Sequence, residues 1–388
     1  MKIHTVKEHE TIYEIARNYG VSPTKIIENN GICSPDFLTS GSELLILTPT
    51  RSYTVRGGDN IESVAKRFGV LKSDIIKYNP ALLGSEKIYP EEQLAIKYAP
   101  PTHAICLVNG YLYRGWREDR LRAFMPHLSY LTLSAYVYAS GTPKRIFNPE
   151  DAIRIGKESG KCTFIRLYLP REAGADALTE ELTDALTREV KKTGADGITL
   201  ALGGMLTDKR CADRLFEVKK RMISEGISLF LEGNLDTDAI YADVADGIIL
   251  TYDASAKAEC DAPKKEEARL REFANECDFA RIFTDISPFA YRDGEPIEIN
   301  EAKRIAERSH AEIEYDGERM LCRFKERGTR AKDSGEIVFP SLKKIKAKLD
   351  LIGELGLLGA AIDIMRCPVE HLMMISTEFI SGSDHFPI

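Results

Sequence analysis

Tryptophan is what this chain has least of: Trp116 stands alone among 388 residues, so no surface can be built on a row of indole rings. The eight cysteines, at positions 33, 106, 162, 211, 260, 277, 322 and 367, include no Cys-x-x-Cys pair. They fall singly in apolar or helical surroundings, which points to reduced core thiols and away from a disulfide framework or a zinc site. Seven histidines are dispersed without ligand spacing and no His-Glu-x-x-His occurs, so neither a metal nor a cofactor is expected. A phosphate-cradling glycine loop and a Gly-x-Ser-x-Gly nucleophile turn are missing as well. No apolar run is long enough to span a bilayer, and Met1-Lys2-Ile3-His4-Thr5 leads into a patterned strand without the apolar region of a signal peptide. The formal net charge is −7 and no Lys/Arg cluster alternates with aromatics, which argues against nucleic acid as a partner. The basic run Lys343-Lys344-Ile345-Lys346 reads as a solvated helix face.

What is present begins with a repeat. At an offset of 49, Thr5-Val6 recurs as Thr54-Val55, Ile15-Ala16 as Val64-Ala65, Gly20-Val21 as Gly69-Val70, and Asn30 as Asn79. A fixed period means one folding unit used twice. In each copy a short strand precedes a helical stretch, with Ile12, Ile15, Ala16 and Tyr19 on one face and Gly20 as its stop. Ser22-Pro23 then starts a second helix carrying Ile26 and Ile27, and Leu44-Leu45-Ile46-Leu47 closes the unit as a strand. Each unit is therefore βααβ, over residues 1–49 and 50–98. Tyr98-Ala99-Pro100-Pro101-Thr102 reads as a stiff linker to a different domain, residues 99–388.

The repeated unit resembles the LysM module. The second copy carries Thr54-Val55, Gly58-Asp59-Asn60-Ile61, Phe68-Gly69-Val70, Asn79-Pro80 and Leu94-Ala95-Ile96, while the first has His9-Glu10 where the signature has Gly-Asp. The resemblance implies binding of N-acetylglucosamine-containing chains, peptidoglycan or chitin, in a groove between the first strand–helix loop and the second helix–strand loop. By position these loops are His9–Ile12 with Asn30–Leu38, and Gly58–Ile61 with Asn79–Leu82. The candidate glycan contacts are thus Glu10, Thr11, Ile12 and Asn30 in the first copy, and Asp59, Asn60, Ile61, Asn79 and Pro80 in the second. Taken by themselves, Asp59 and Asn79 read as caps of helices and turns. Tandem copies raise weak affinity through effective concentration.

After the linker, apolar β-rich runs alternate with helical stretches: 104–108, 131–138, 163–169, 197–202, 227–231, 247–251, 281–286 and 359–364. Eight such runs predict an α/β chain with a (β/α)8 TIM-type barrel. The connection between the seventh and eighth is too long for one helix and predicts a small α+β insertion at about residues 297–340. Leu128–Leu133, Val244–Asp253, Ala311–Asp316 and Ile345–Ile352 resemble glycoside hydrolase family 18, in particular LysM-bearing N-acetylglucosaminidases of the bacterial spore.

That family protonates the glycosidic oxygen with a Glu at the end of a D-G-x-D-x-D-x-E motif on the fourth strand, while the sugar's own acetamido oxygen attacks. Here Asp196-Gly197 match, but Thr199, Ala201 and Gly203 replace the second Asp, the third Asp and the catalytic Glu. A one-residue slip turns the strand's side chains to the other face and restores no carboxylate. Losing the acid alone forfeits about 10²- to 10⁴-fold in rate. The family's floor Trp on the eighth strand is also missing, with Asp363 in its region, and Tyr111, Tyr113, Tyr136 and Tyr138 are the available substitutes. Glu232, Asp253 and Asp363 are the remaining candidate acids, and Tyr252-Asp253 matches a sugar-contacting pair of the family. The expectation is a glycan-binding protein whose degenerate barrel is a scaffold, associated with cell wall or spore cortex or coat and made without a signal peptide. The alternatives are a divergent N-acetylglucosaminidase with a relocated acid, and a structural component that contacts spore-coat proteins.

Overall fold

The computed structural model describes residues 1–83, 85–99, 106–202, 209–234, 244–251, 263–274, 278–326 and 335–379. In the first module, β1 (Lys2–Thr5) pairs antiparallel with β2 (Glu43–Ile46), and α1 (Ile12–Tyr19) and α2 (Pro23–Asn30) lie between them in sequence. The second repeats this with β3 (Arg51–Thr54), α3 (Ile61–Phe68), α4 (Lys72–Tyr78) and β4 (Gln93–Lys97). Local sequence dictates the helix ends. Thr11 and Asn60 cap α1 and α3 by accepting from the amides of Glu14 and Ser63, and Gly20 and Gly69 stop them in the left-handed region at φ 65° and 64°.

Each module has a small core of its own, Ile12, Ile15, Ile26, Leu44 and Ile46 in one and Ile61, Val64, Ile75, Leu94 and Ile96 in the other. Cores of that size give a 45-residue unit little independent stability, and both modules lean on the rest of the chain. Strand alternation makes this possible. Leu44 and Ile46 face the module core, while Leu45 and Leu47 enter the large cluster around the barrel, as Ala95 does from β4. Both α2 and α4 pack on the helix Val369–Glu378, and Lys25 Nζ reaches Asn79 Oδ1 at 3.1 Å across the two modules.

The barrel is a closed sheet of eight parallel strands: β5 (Leu107–Leu112), β6 (Tyr130–Ala139), β8 (Cys162–Leu169), β9 (Gly197–Leu202), β10 (Ser228–Asn234), β11 (Gly247–Thr251), β12 (Ile282–Ile286) and β18 (Gly359–Asp363). β7 (Thr142–Arg145) folds back antiparallel on β6. The first strand extends past the run 104–108 read from sequence, of which residues 104 and 105 lie outside the described ones. Its pairings with β18 and β6 extend through Asn109-Gly110, beyond the end of that run. A Cβ on Gly110 would fall 2.7 Å from the end of the Leu128 side chain, which would have to move to admit it. Inside the barrel, Phe164, Phe230 and Phe283 surround Tyr130, with the Phe164 and Phe230 rings 4.4 Å apart.

Between β12 and β18 stands a five-stranded antiparallel sheet in the order β14 (Glu295–Glu298), β13 (Phe289–Arg292), β17 (Glu336–Pro340), β16 (Leu321–Lys325), β15 (Glu314–Asp316). The helix Ile299–Ser309 packs on it through Ile299, Ala302, Ile305 and Ala306. This unit begins at Phe289, ahead of the position read from sequence, because β13 and β14 form a hairpin about Asp293-Gly294, both with positive φ. The insertion and the helix Leu342–Leu355 that follows it hold module 1. The Ile313 N–H donates to Ser40 O at 3.0 Å. Glu43 accepts from the Leu342 N–H at 2.6 Å and pairs with Lys343 at 3.0 Å. The run Lys343-Lys344-Ile345-Lys346 is therefore not a solvated face: Lys343 ties down Glu43, and Lys344 and Ile345 are buried.

Candidate functional site

Two places carry the expected chemistry, the loops of the modules and the C-terminal mouth of the barrel. In module 1 the turn after β1 is closed by Glu10, whose Oε2 accepts from the Lys7 N–H at 3.0 Å and lies 2.8 Å from His4 Nε2. Module 2 builds the same turn from other residues, with Asp59 Oδ2 accepting from the Arg56 N–H at 2.9 Å and the Tyr53 hydroxyl at 2.6 Å. The Tyr53 and Arg56 bonds hold the Asp59 carboxyl below its ordinary range. At Glu10, burial pushes upward, but the Lys7 amide and His4 outweigh it and the net displacement is again downward. Both carboxylates are turn clasps.

The paired asparagines are structural too. Asn79 is fully buried; its Nδ2 donates to Ile75 O and Ala95 O, and its Oδ1 accepts from the Ala95 N–H. Asn30 does the same with Ile26 O, Leu45 O and the Leu45 N–H. Each amide stitches a helix end to the closing strand and has no atom left for a sugar. Ile12, Ile61 and Pro80 are buried as well. Of the described glycan candidates, the structure thus withdraws Asn30, Asn79, Ile12, Ile61 and Pro80 from contact, and leaves Glu10, Thr11, Asp59 and Asn60 along the loops. Sequence reading missed three aromatics near these loops: Tyr13, Phe37 and Tyr89 are 71%, 66% and 62% exposed. The α1 pattern carries the signal for Tyr13, which falls outside the Ile12, Ile15, Ala16 stripe.

At the barrel, Ile198, Leu200 and Leu202 pack outward in the large cluster, so Thr199 and Ala201 face inward, both buried. Gly203, Tyr252 and Asp253 lie outside the described residues. Ala201 is in register with Glu232 on β10. Glu232 is not positioned as an acid. Arg166 on β8 grips both of its oxygens at 2.6 Å, and the Tyr111 hydroxyl donates to Oε2 at 2.8 Å. Burial pulls the Arg166 guanidinium down, but the Glu232 charge more than reverses it. Ser134 takes a further Arg166 N–H at 3.0 Å, and the guanidinium stacks between Tyr111 and Tyr168. With both oxygens engaged by donors, Glu232 has none free to carry a proton to a leaving group. Asp363 is likewise occupied, capping the amides of Met365 and Arg366 and pairing with the Arg366 guanidinium at 2.7 Å. Tyr136 is buried and donates to Glu189.

Asp196-Gly197 has structural work. Asp196 Oδ2 accepts from the Thr163 amide and hydroxyl, both at 2.8 Å, fastening the start of β9 to β8. A Cβ on Gly197 would fall 2.3 Å from the Phe164 ring. Two strands further round the barrel, at the start of β11, Asp246 accepts from the Leu229 amide at 2.8 Å, and a Cβ on Gly247 would meet Phe230 at 2.8 Å. Among the described residues no three His, Cys, Asp or Glu converge as a metal site, and no helix is long and apolar enough to cross a membrane.

The family model described as "LysM domain" matches residues 4–47 and 53–97. The chain carries two LysM domains. Over the LysM region it is 32% identical across 104 residues to the N-acetylmuramoyl-L-alanine amidase sle1 of Staphylococcus haemolyticus, covering 24% of this chain and 31% of the relative. The cell wall-binding protein YocH of Bacillus subtilis is 30% identical over 97 residues, 24% of this chain and 33% of that protein. The chain therefore spans about a third of the length of the curated relatives it matches. The spore cortex-lytic enzyme SleL of Bacillus megaterium superposes with a TM-score of 0.77 at 20% identity, over 99% of each chain, LysM domains included. At that identity the likeness is one of fold: two LysM domains on a family 18-like barrel.

Proposed function

We propose that this chain holds N-acetylglucosamine-containing cell-wall glycan through its two LysM domains, and that its barrel serves as scaffold without hydrolytic turnover. The match of both modules to the LysM family carries the first half. The named activities and sites of the relatives, an amidase, a cell wall-binding protein and a spore cortex-lytic enzyme, agree with a wall or spore-cortex location. For the second half, the inward positions of β9 are Thr199 and Ala201, and the sequence places Gly203 where the family has its acid. The nearest carboxylate in register, Glu232, is consumed by Arg166 and Tyr111. The reading therefore favours a binding protein over a hydrolase with Glu232 or Asp363 as a relocated acid.

The test is co-sedimentation of the full chain with insoluble peptidoglycan and with chitin, together with release of reducing ends from both. Pelleting with at least one polymer, displaced by soluble chitooligosaccharide and without reducing ends above buffer, is the expected outcome. A protein that stays in the supernatant with both would sink the binding half. Turnover that disappears in Glu232→Gln would sink the scaffold half.

A further inference from the structure

Among the described helices around the barrel, large apolar side chains stand exposed on one only, the helix Lys209–Ser224, where Phe216 is 59% and Ile223 64% exposed. The stripe Cys211, Leu215, Val218 and Met222 already holds this helix to the barrel, and Phe216 and Ile223 lie outside it. Both flanks are taken too. Lys219 pairs with Asp246 ahead of β11, and Arg221 with Asp184 on the helix Glu180–Thr193 at 3.2 Å. What is left open is the outward face. There Asp213, Phe216, Lys220 and Ile223 follow at steps of three, four and three residues, one line along a helix, and all four are exposed. Neither Asp213 nor Lys220 has a hydrogen-bond or ion-pair partner among the described residues.

The order of these residues selects the partner. Asp213 and Lys220 flank Phe216 with opposite charge, about one helical turn to either side. A partner surface of one sign would set one of the two against its like. A wholly apolar surface would bury both charges unpaired. A second copy laid antiparallel, with the two-fold axis at Phe216, sets Phe216 against Phe216 and each Asp213 against Lys220 of the other copy, so every charge on the line is answered at once. We propose that this face is a self-complementary docking surface through which two copies of the chain pair, the helix Lys209–Ser224 against its equal. Contact along one helix per copy falls below the about 800 Å² that each partner covers in a stable interface, so the dimer is reversible and weaker than about 1 µM. On a polymer that weakness is offset, because a dimer brings four LysM domains to it, two from each copy. This consequence rests on the glycan reading above; the pairing itself does not.

Sedimentation velocity of the full chain, without glycan and from micromolar to millimolar concentration, tests it. A concentration-dependent shift from monomer to dimer is expected, and Phe216→Glu should abolish it with the melting temperature unchanged. Asp213→Lys and Lys220→Asp should each weaken pairing on the order of tenfold, since by symmetry each turns two attractions into two repulsions. The doubly exchanged chain, Asp213→Lys with Lys220→Asp, should regain the parent affinity. So should an equimolar mixture of the two single variants, in which both pairs are again of opposite sign. A chain that stays monomeric throughout, a dimer indifferent to Phe216→Glu, or charge variants that neither exchange nor mixing rescues would each overturn the proposal. Because no glycan is present, failure here leaves the glycan reading untouched.

Discussion

LysM domains 1 and 2 use the same clasps with different residues. The carboxylate of the first turn is Glu10 in one and Asp59 in the other, and its strand partner is His4 or Tyr53. That partner sits edge-on to Tyr19 at 5.6 Å or Phe68 at 5.2 Å, and Lys2 or Arg51 lies over the same ring. The helix-to-strand stitch is an asparagine in both. Where the domains diverge is the loop before the closing strand. In domain 1 that loop meets the insertion at Gly41 and is tied by Glu43 to the start of the helix Leu342–Leu355, while in domain 2 the corresponding Glu91 and Gln93 are exposed. The clasps set the module; the loop's neighbours decide whether it is a free surface or a wall.

The hardest way to break the comparison is Gly41→Val. A Cβ there would lie 1.9 Å from Ile313 O, at φ +81°, so it combines overpacking with a strained backbone. A loss of about 3–5 kcal/mol is expected, read by thermal or urea unfolding. Glu91→Gly, at the same turn in domain 2 with φ 71°, should stay within about 1 kcal/mol of the parent. Next comes Asn79→Ala, which strands the Ala95 amide and two carbonyls at about 2–4 kcal/mol. Asn30→Ala should cost a similar amount, and a small loss at either site would show the stitch to be dispensable.

Glu43→Ala orphans the Leu342 amide and should cost about 1–3 kcal/mol, while Gln93→Ala should fall within about 0.5 kcal/mol. Equal effects in the same melting assay would erase the distinction between a docked and a free loop. The smallest expected effect is on pH. Glu10 and Asp59 have carboxyls held below the ordinary range in the folded state, so their contribution is present above the unfolded values and is lost as pH falls through the folded ones. Amide resonances of the Lys7 and Arg56 turns, followed by NMR below about pH 4, should report it, and Glu10→Gln should flatten only the first.

Much of the architecture was legible because periodicity is a direct image of burial. Ile12, Ile15 and Ala16, or Ile61, Val64 and Ala65, announce their helices, and seven of the eight barrel strands lie close to where their apolar runs fall. The first strand runs past its apolar run because Asn109-Gly110, residues poorly suited to strands, sit inside it. The hairpin about Asp293-Gly294 had its signal in that dipeptide, unused. The site was harder. That Asn30 and Asn79 recur at one position says they matter, but a stitching amide and a sugar-binding amide are the same letter; only burial separates them. Nor does Glu232 reveal in sequence that Arg166, 66 residues earlier, will claim both of its oxygens.

The repeated Asp-Gly steps at 196–197 and 246–247 carry a lesson for reading old motifs. Their aspartates act as rivets between neighbouring strands and their glycines as sockets for a phenylalanine. Changing either glycine would oblige the barrel's interior to be rebuilt around Phe164 or Phe230. An Asp-Gly pair at the start of a barrel strand thus reports how that strand is fastened to its neighbour, whatever follows it along the strand.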